Sequence, residues 1–561
     1  MIQRVKFILS PSEKGIDDAG YTYLPPLSLG ILAGYLGEKN YDISLHDLNM
    51  ELPKIYKGME EQFQFLYDKK RVLDYLNGAE DNEIEQYAIE ILQNVDTENC
   101  DIVGISCGAD FSFFQLHSAF ILAKYIKEKY GLPILLGGNN VTYLKQFEQT
   151  FDDLIKTIMS QFPYIMKGPG EYVIDELIQV LNGTSDKDIY QLDGMMYLED
   201  GKLVCNKEHK PIIVRPDWKN LDMSYYCLKV NPALEDTSKE NVAEAENRIH
   251  VFKWPFYLTH YVSLVRKKVK NKVFEDKLVI PYIFNFHCPY ACAFCSESAA
   301  ERKEVIMGDV DKVIEDLGVM TEKYNTNYFY FLNNAINASA SFLDAFCKRI
   351  IENNIKIVWS DCARFNGMTY ERLKMMKEAG CVKLVFGFET ASQKLIDLVE
   401  KRIDLTQGEQ VMRWCKELGI WVDLEVIVGL PQEQETDFLD TVAFVNKNRE
   451  YINYMTINEF FVVPNSKIGR NPEKYDICLE KTIIHYETLL ERSWRYFKNE
   501  KGRPSGNFKI FKFNEIGGRN YVEIMKDTKK HIHYMNKLQN KEFTEVESVF
   551  RLIEKRAMSG S

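Results

Sequence analysis

Short apolar runs alternate with longer segments of helical periodicity through the first third of the chain. The apolar runs typical of buried strands lie at residues 3–10, 43–49, 101–108, 133–139 and 164–168. Helical patterns follow them and begin near Ser28, Ser112 and Gly170. Strands that alternate with helices indicate βαβ units, so residues 1–190 are predicted to form an α/β domain around a parallel sheet. Residues 51–98, charged and helical in pattern, are interpreted as an insertion into that domain.

A second alternating series begins near Lys277. Its apolar runs lie at residues 277–286, 328–333, 355–362, 382–389, 421–430 and 454–463. Six such strands separated by helical segments predict a partial (β/α)6 barrel of the TIM type over residues 276–465, with its chemistry at the carboxyl ends of the strands. Residues 191–275 are interpreted as a hairpin, turning at 200–201, followed by a linker. Residues 466–561 are predicted to form a helix-rich C-terminal region.

Charge and hydropathy narrow the class of protein. The chain of 561 residues carries a net charge of −12, which argues against a general nucleic-acid surface. The basic run at 266–272 is interpreted as a solvated face. No apolar stretch reaches the roughly 18 residues of a membrane span, and the N-terminal sequence is typical of a first strand rather than of a signal peptide. These features predict a cytoplasmic protein.

Cys288, Cys292 and Cys295 form the one tight group among the twelve cysteines, with the spacing C-x3-C-x2-C directly after a predicted strand. This distribution favours a reducing compartment and a metal site over a disulfide framework. Three thiolates on a short loop can hold three irons of a cubane cluster and leave the fourth iron open to another ligand. A structural zinc site is the alternative, but it needs four closed ligands, and His287 is poorly placed to be the fourth because it adjoins Cys288.

The remaining cysteines show no second cluster spacing, and most are interpreted as small buried hydrophobes. Cys107 and Cys362 lie at the ends of predicted strands, where a functional site is expected. These two thiols are therefore candidates for a functional role.

The cysteine motif, placed after the first strand of a predicted barrel, resembles that of the radical S-adenosylmethionine (radical SAM) superfamily. In that superfamily the open iron binds the amino and carboxylate groups of S-adenosylmethionine (SAM). The resemblance implies a [4Fe–4S] cluster on Cys288, Cys292 and Cys295. It also places Phe294, which precedes the third cysteine, near the adenine of SAM.

Further barrel positions resemble SAM-binding segments of the same superfamily. Asn333 and Asn334 stand where relatives carry a Gly-Gly-Glu-like segment, although this chain lacks its acid. Arg364 follows the third strand at a position that is often basic. Glu389 lies in a Gly-Phe-Glu-Thr segment similar to Gly-x-Glu-Ser, and Gly429 begins a Gly-Leu-Pro turn similar to Gly-x-Pro. The resemblance implies that these residues contact SAM.

The N-terminal domain resembles the Rossmann-like (flavodoxin-like) cobalamin-binding domain that precedes many radical SAM barrels. Residues 24–30, Leu-Pro-Pro-Leu-Ser-Leu-Gly, match a segment common in such domains. Ser106, Gly137 and Gly138 are similar to the Ser-x-Leu and Gly-Gly elements of cobalamin sites, and Gly168 opens a Gly-Pro-Gly-Glu turn similar to Gly-Glu-Gly-Glu. Small residues there would let the nucleotide tail of the corrin run close to the strand ends.

The histidine that ligates cobalt in many cobalamin proteins has no counterpart in the first loop. Residues 9–28 contain Asp-Asp-Ala-Gly at 17–20 and no histidine. His46 and His117 do not fit the ligand pattern and are interpreted as ordinary histidines. A bound cobalamin would therefore have no protein histidine on its cobalt, as is usual among radical SAM relatives.

The resemblance implies an enzyme that cleaves SAM reductively to methionine and a 5′-deoxyadenosyl radical. With cobalamin present, the leading expectation is methyl transfer from methylcobalamin to an unactivated carbon of a small-molecule or peptide substrate. The alternatives are a radical rearrangement, cyclisation or epimerisation without methyl transfer, and a non-enzymatic sensor or scaffold. Methylthiolation is disfavoured because the N-terminal part lacks the three extra cluster cysteines of such enzymes. An electron donor such as flavodoxin or ferredoxin is the expected partner.

Overall fold

The computed structural model describes residues 1–12, 24–50, 65–108, 113–144, 152–230, 275–295, 304–463, 465–479 and 512–539. Two compact units are present, one built mainly from Met1–Tyr225 and the other mainly from Tyr226–Phe461, and each also contains shorter segments from later in the chain. Several predictions concern residues outside the described part of the chain. These are the 17–20 segment, the first part of the insertion, the basic run at 266–272, most of the linker, and much of the C-terminal region.

The first unit is built on a seven-stranded sheet in the order β2-β1-β3-β4-β5-β6-β7. Its strands are β1 Arg4–Leu9, β2 Asp42–Asp47, β3 Ile102–Ser106, β4 Ile134–Gly137, β5 Tyr164–Met166, β6 Met195–Glu199 and β7 Lys202–Cys205. Strands β1 to β5 are parallel, and β6 and β7 form the predicted antiparallel hairpin, with left-handed residues Asp200 and Gly201 at its turn. The 2-1-3-4-5 order is that of flavodoxin-like sheets, so the predicted fold class is confirmed.

Helices cover both faces of this sheet. They are α1 Leu27–Glu38, α2 Lys69–Leu76, α3 Asn82–Leu92, α4 Phe113–Tyr130, α5 Asn139–Leu144, α6 Asp152–Gln161 and α7 Glu171–Leu181. Helix α4 is buried over most of its length, and both α2 and α3 pack against it. The described part of the predicted insertion therefore supplies core residues, including Phe65, Tyr87 and Ile91, rather than a separate surface feature.

Helix α1 carries two glycines on the face that is covered by residues 214–218. A Cβ on Gly30 would lie 2.6 Å from the Trp218 ring, and a Cβ on Gly34 would lie 2.1 Å from the backbone oxygen of Arg215. Trp218 is buried, and its indole Nε1 donates a hydrogen bond to the Pro26 carbonyl at 2.9 Å. The close approach explains glycine inside a helix, where it is normally unfavourable.

We expect Gly34→Ala to lower the stability of the first unit by roughly 1–3 kcal/mol, because the added methyl group would push helix α1 away from the backbone of Arg215. Gly37→Ala, in the same helix, is the matched control. No atom lies within 4 Å of its Cβ position, so the substitution should raise stability by about 0.5–1 kcal/mol through helix propensity. Denaturant midpoints of the two variants test this, and equal shifts of one sign would contradict it.

The second unit is built on a curved sheet in the order β16-β15-β14-β13-β12-β9-β8. Its strands are β8 Cys227–Val230, β9 Glu275–Tyr282, β12 Tyr328–Phe331, β13 Val358–Ala363, β14 Cys381–Glu389, β15 Trp421–Val428 and β16 Tyr454–Glu459. Six of these are the predicted barrel strands and are parallel. The partial barrel is therefore confirmed. Strand β8, which pairs antiparallel with β9, falls in the segment predicted as an irregular linker.

Short two-stranded sheets and helices complete the described part of the second unit. The strands are β10 Asn285–Phe286, β11 Ile306–Met307, β17 Ile477–Leu479 and β18 Phe513–Glu515. The helices are α8 Val310–Tyr324, α9 Ala340–Glu352, α10 Tyr370–Glu378, α11 Gln393–Leu398, α12 Leu405–Glu417, α13 Glu435–Lys447 and α15 Tyr521–Leu538, and the short α14 Lys467–Arg470 belongs to the first unit. No helix in the described ranges is long and apolar enough to cross a membrane.

The two faces of the barrel sheet differ in chemistry. On the helix-covered face, Phe331 packs on Trp359 at 5.4 Å, and Phe388 stacks on Phe444 of α13 at 4.9 Å. On the inner face, Lys383 and Asp423 form a fully buried ion pair at 3.0 Å. Alternation of side chains along each strand separates an aromatic outer layer from a polar interior.

Candidate functional site

The cysteine loop begins directly after β9 and β10 in the second unit. His287 adopts a left-handed conformation, with φ of +66°, which turns the chain away from the strand. Within the loop Cys292 is buried, and the Cys295 amide donates to the Cys292 carbonyl at 3.2 Å. Among the described residues, no group of three or more histidine, cysteine or acidic side chains stands in a metal-binding arrangement. The three predicted ligands thus share one loop, and their thiols are not drawn together as in a closed metal site.

Asn333 and Asn334, at the end of β12, form hydrogen bonds with the backbone at the start of that loop. The Asn333 Oδ1 accepts hydrogen bonds from the backbone amides of Phe284 and Asn285 at 2.9 and 2.8 Å. Its Nδ2 donates to Asp361 at 2.6 Å, and the Asn334 Oδ1 accepts from the His287 amide at 2.7 Å. The Asn333 side chain is therefore occupied within the protein, and so is the Oδ1 of the exposed Asn334, which leaves the Asn334 Nδ2 and the backbone groups of this segment for a ligand.

Arg364, at the end of β13, reaches the cysteine loop. Its Nη1 lies 3.5 Å from the Cys292 sulfur, and its Nη2 donates to the Lys401 carbonyl. The guanidinium stacks on the Tyr290 ring at 3.8 Å from its centroid. Sequence alone places Arg364 near SAM, whereas the structure shows that it also contacts a predicted cluster ligand.

Glu389, at the end of β14, forms a buried ion pair with Lys401 at 2.5 Å. Burial disfavours the charge of Lys401, but the Glu389 carboxylate outweighs this, and the pKa of Lys401 is raised above its usual value. The Lys401 ammonium also lies 5.7 Å from the centroid of the Phe294 ring. Glu389 has a φ of +67°, so its backbone bends where the register with β15 shifts. Lys401 is a site residue that lies outside the sequence motifs.

These observations fit an iron–sulfur cluster at this loop. The donor set is three thiols, and a cubane cluster with three thiolate ligands is anionic. Burial raises the pKa of the Cys288 thiol, and the neighbouring charges of Arg364 and Lys401 oppose that rise. Two cations beside the thiols therefore favour the thiolate form that iron requires.

Gly429, at the end of β15, lies in a turn held by a buried carboxylate. The Glu433 Oε2 accepts hydrogen bonds from the Gly429 amide and, at 3.0 Å, from the Leu430 amide. A Cβ on Gly429 would lie 2.3 Å from the Thr528 hydroxyl of α15, and φ at Gly429 is +86°. The C-terminal helix therefore packs directly on this turn. The Gly-x-x-x-Glu spacing is a sequence signal that could have identified Glu433.

Burial raises the pKa of Glu433 to about 7, although its two backbone donors oppose the rise. The folded state therefore holds the proton more tightly than the unfolded state, and stability should fall as pH rises from about 4.5 to about 7. A shift of this size corresponds to at most roughly 3 kcal/mol. Glu433→Gln removes the titration, so its stability relative to the parent should be greater at pH 8 than at pH 5. Urea midpoints at both pH values test this, and a pH-independent difference would refute it.

The predicted cobalamin residues lie together at the carboxyl edge of the first unit's sheet. Ser106 pairs with Leu9 of β1 on one side and with Gly137 of β4 on the other, so it stands where the strand order reverses. The Thr142 hydroxyl accepts from the Gly168 amide at 3.1 Å and donates to the Gly138 carbonyl at 3.2 Å. Ligands of flavodoxin-like sheets bind at this edge.

The three glycines of this edge differ in the room they leave. A Cβ on Gly138 would lie 3.0 Å from the backbone of Cys107, and one on Gly168 would lie 2.7 Å from the Glu208 side chain. Both have a positive φ, so the protein's own packing already requires glycine there. At Gly137 the nearest atom is the Met166 carbonyl oxygen, at an ordinary 3.5 Å. Gly137 is therefore the glycine with space for a ligand.

A buried polar chain that the motif search missed supports the same edge. The Gln115 Nε2 donates to the Ser10 carbonyl at 3.0 Å, and the Asn140 Nδ2 donates to the Gln115 Oε1 at 3.3 Å. Asn140 is fully buried, and its Oδ1 has no hydrogen-bond partner among the described residues. An orphaned acceptor three residues after Gly137 fits a ligand that donates a hydrogen bond, such as an amide-bearing corrin.

The histidines and the two candidate thiols have distinct environments. His117 is fully buried, and its desolvation lowers its pKa to about 4. The His46 ring lies 3.5 Å from the buried Lys6 ammonium. Cys107 is fully buried and its pKa is raised by burial, whereas Cys362 is partly exposed at the end of β13. Of the two candidate thiols, Cys362 is the accessible one.

Comparison with known families agrees with this geometry. The model of the Radical SAM superfamily matches residues 282–445, which span the cysteine loop and the strands up to helix α13. Residues 282–445 therefore form a radical SAM domain.

Three relatives are similar to this chain over 61% to 80% of its length. An uncharacterised methyltransferase of Pyrococcus horikoshii is 23% identical over 446 residues, covering 80% of this chain and 78% of the relative. The anaerobic magnesium-protoporphyrin IX monomethyl ester cyclase of Rubrivivax gelatinosus is 22% identical over 355 residues, covering 61% of this chain and 54% of the cyclase. A cytidylyl-2-hydroxyethylphosphonate methyltransferase of Streptomyces wedmorensis is 20% identical over 420 residues, covering 72% of this chain and 69% of that methyltransferase.

Two solved radical SAM structures share the fold over most of the chain. The methyltransferase TsrM from Kitasatospora setae, with cobalamin and a [4Fe–4S] cluster bound, has a TM-score of 0.56 at 12% identity and covers 91% of this chain and 84% of its own. The cobalamin-dependent radical enzyme OxsB, with aqua-cobalamin bound, has a TM-score of 0.55 at 14% identity and covers 92% and 65%. At these identities the likeness concerns the fold.

Proposed function

We propose that this radical SAM enzyme is a cobalamin-dependent methyltransferase that acts on an unactivated carbon of a small molecule. The observation that carries the proposal is the pairing of two features in one chain. A C-x3-C-x2-C loop lies in a radical SAM domain, and Ser106, Gly137 and Gly138 lie at the carboxyl edge of a flavodoxin-like sheet. Methyltransferases among the relatives, and cobalamin in both structural neighbours, support it.

The cluster would be held by Cys288, Cys292 and Cys295, and the open iron would take SAM. When bound, these groups supply a 5′-deoxyadenosyl radical for hydrogen abstraction, and methylcobalamin supplies the methyl group. The chain's own part is to position them: Asn333 and Asn334 fix the start of the loop, and Phe294 and the Glu389–Lys401 pair lie beside it. In a site of this kind the protein binds, orients and excludes water.

Backbone groups are the natural SAM contacts on two of the predicted segments. The side chains of Asn333 and Asn334 are already hydrogen-bonded within the protein, and the Gly429 amide is bonded to Glu433. The backbone carbonyls of Asn333, Asn334 and Gly429, which follow β12 and β15, are therefore the proposed acceptors for SAM. This assignment keeps the predicted positions and changes which atoms are used.

Cobalamin would lie at the carboxyl edge of the first unit's sheet, with its tail against Gly137 and an amide near Asn140. His117 is enclosed in the core, where it cannot reach a metal. We therefore propose that no protein histidine would serve as a ligand of the cobalt.

The experiment that tests cobalamin binding uses Gly137→Leu. The full chain is reconstituted anaerobically with iron, sulfide and hydroxocobalamin, and unbound cofactor is removed. Because a Cβ at Gly137 meets no atom closer than 3.5 Å, the variant should fold and keep its iron while retaining at least tenfold less corrin. Gly37→Ala is the control and should retain corrin like the parent. Equal corrin retention in Gly137→Leu would contradict the proposed site.

Cyclisation without methyl transfer is the second candidate function, because the relatives include an anaerobic cyclase.

We propose a reducing cytoplasm as the compartment, since the described cysteines are free thiols. A one-electron donor such as flavodoxin or ferredoxin is the proposed partner, because reductive cleavage of SAM needs an external electron.

A further inference from the structure

Arg364 is a buried cation whose described side-chain contacts lie on or beside the cysteine loop. It is 6% exposed, with one terminal nitrogen 3.5 Å from the Cys292 sulfur and the other bonded to the Lys401 carbonyl. The Tyr290 ring lies under its guanidinium plane at 3.8 Å. Three separate contacts thus fix the orientation of this side chain.

The charge of Arg364 has no carboxylate partner in the described residues. The neighbouring cation, Lys401, is neutralised by Glu389 at 2.5 Å, but no described aspartate or glutamate forms an ion pair with Arg364. The Nε of Arg364 is buried and makes no hydrogen bond in the part of the chain that is described. A buried unpaired charge is costly, so an anion is expected beside it. The group next to the guanidinium is the Cys292 sulfur, a predicted cluster ligand.

We propose that Arg364 is a positioning residue that raises the reduction potential of the cluster by donating a hydrogen bond to the Cys292 thiolate, with Tyr290 holding the guanidinium in place. The inference rests on the proposed function and adds a role to the predicted contact with SAM. Hydrogen bonds to ligating sulfurs and nearby positive charge are main determinants of cluster potential. Reduction adds one electron from the external donor to the cluster, and an adjacent cation stabilises the more negative product.

Substitution of Tyr290 provides a second, independent test of the role of Arg364. Its ring holds the guanidinium by a cation–π contact, and it lies between Cys288 and Cys292 without being a ligand. Removing the ring leaves the three thiols and the arginine charge in place but loosens the hydrogen bond. A smaller change of the same sign is therefore expected from Tyr290 than from Arg364.

The test is a redox titration of the reconstituted full chain without SAM, with the reduced cluster followed by electron paramagnetic resonance. The variants are Arg364→Gln, Arg364→Lys and Tyr290→Leu, and Lys416→Gln is the control for loss of an exposed charge. Arg364→Gln should make reduction about tenfold less favourable, which is about 59 mV for a one-electron couple. Arg364→Lys and Tyr290→Leu should shift in the same direction by less, and Lys416→Gln should match the parent.

The outcomes separate this inference from the proposed function. A parent protein that holds no cluster would refute the proposed function itself. A parent with a cluster, and Arg364→Gln with parental potential but weaker SAM binding, would reduce Arg364 to a SAM contact and overturn the inference. If Arg364→Gln fails to retain iron, the Tyr290→Leu variant tests the inference instead. A reduction potential equal to that of the parent in Tyr290→Leu overturns the inference, and a lower potential supports it.

Discussion

Replacing Cys288, Cys292 and Cys295 together by alanine should abolish iron binding and SAM cleavage. The three thiols are the proposed ligands of the cluster, and no other group of three potential ligands stands in a metal-binding arrangement in the described ranges. Iron should fall from about four per chain to background, with loss of the broad absorption near ~400 nm. Formation of 5′-deoxyadenosine from SAM should fall below detection, because the electron no longer has a route to SAM.

The matched control removes three thiols that are at least partly exposed and lie outside the loop. They are Cys205, Cys227 and Cys478. Their combined replacement by alanine should leave iron content and SAM cleavage within twofold of the parent. Iron retained at parental levels by the Cys288/Cys292/Cys295 variant, or lost equally in both, would contradict the assignment of the ligands.

Asn333→Ala should produce the largest loss of stability among single substitutions near the site. Asn333 is 3% exposed, accepts from two buried backbone amides and donates to Asp361. Its removal leaves those groups unsatisfied, at about 1–3 kcal/mol for each buried group. We expect roughly 3–5 kcal/mol less stability in the cluster-free protein, together with poor cluster retention after reconstitution.

A second asparagine provides the comparison for that prediction. Asn353 ends helix α9, and its exposed side chain donates to the Arg349 carbonyl at 2.8 Å. Asn353→Ala should change the unfolding free energy by about 0.5 kcal/mol or less. Denaturant titrations of both variants give the answer, and similar small losses in the two would show that Asn333 does not hold the loop.

The sequence predicted those parts of the molecule that depend on local pattern. A buried strand such as β3 is a continuous apolar run because helices cover both faces of its parallel sheet, and such a run is visible without partners. The cysteine loop is equally local, since its three thiols fall within eight residues. Fold class and candidate ligands could therefore be identified before any contact was known.

The features that were missed depend on partners far away in the chain. Strand β8 has no distinctive pattern of its own and exists because it pairs with β9 across a long separation. The contact between Arg364 and Cys292 joins residues 72 apart, and the packing of Thr528 on Gly429 joins a helix to a strand end 99 residues earlier (528 minus 429). The sequence pattern identifies the type of each residue, whereas three-dimensional packing determines which charged groups and sulfur atoms come into contact.

We infer that this chain uses SAM in radical chemistry coupled to cobalamin methylation. The most direct measurement quantifies 5′-deoxyadenosine and S-adenosylhomocysteine together, by mass spectrometry, in one anaerobic reaction of the reconstituted full chain with SAM, hydroxocobalamin and a strong one-electron reductant. We predict both products, because radical formation yields the first and methylation of cobalt by SAM yields the second. Neither product from protein that holds its full cluster would contradict the account.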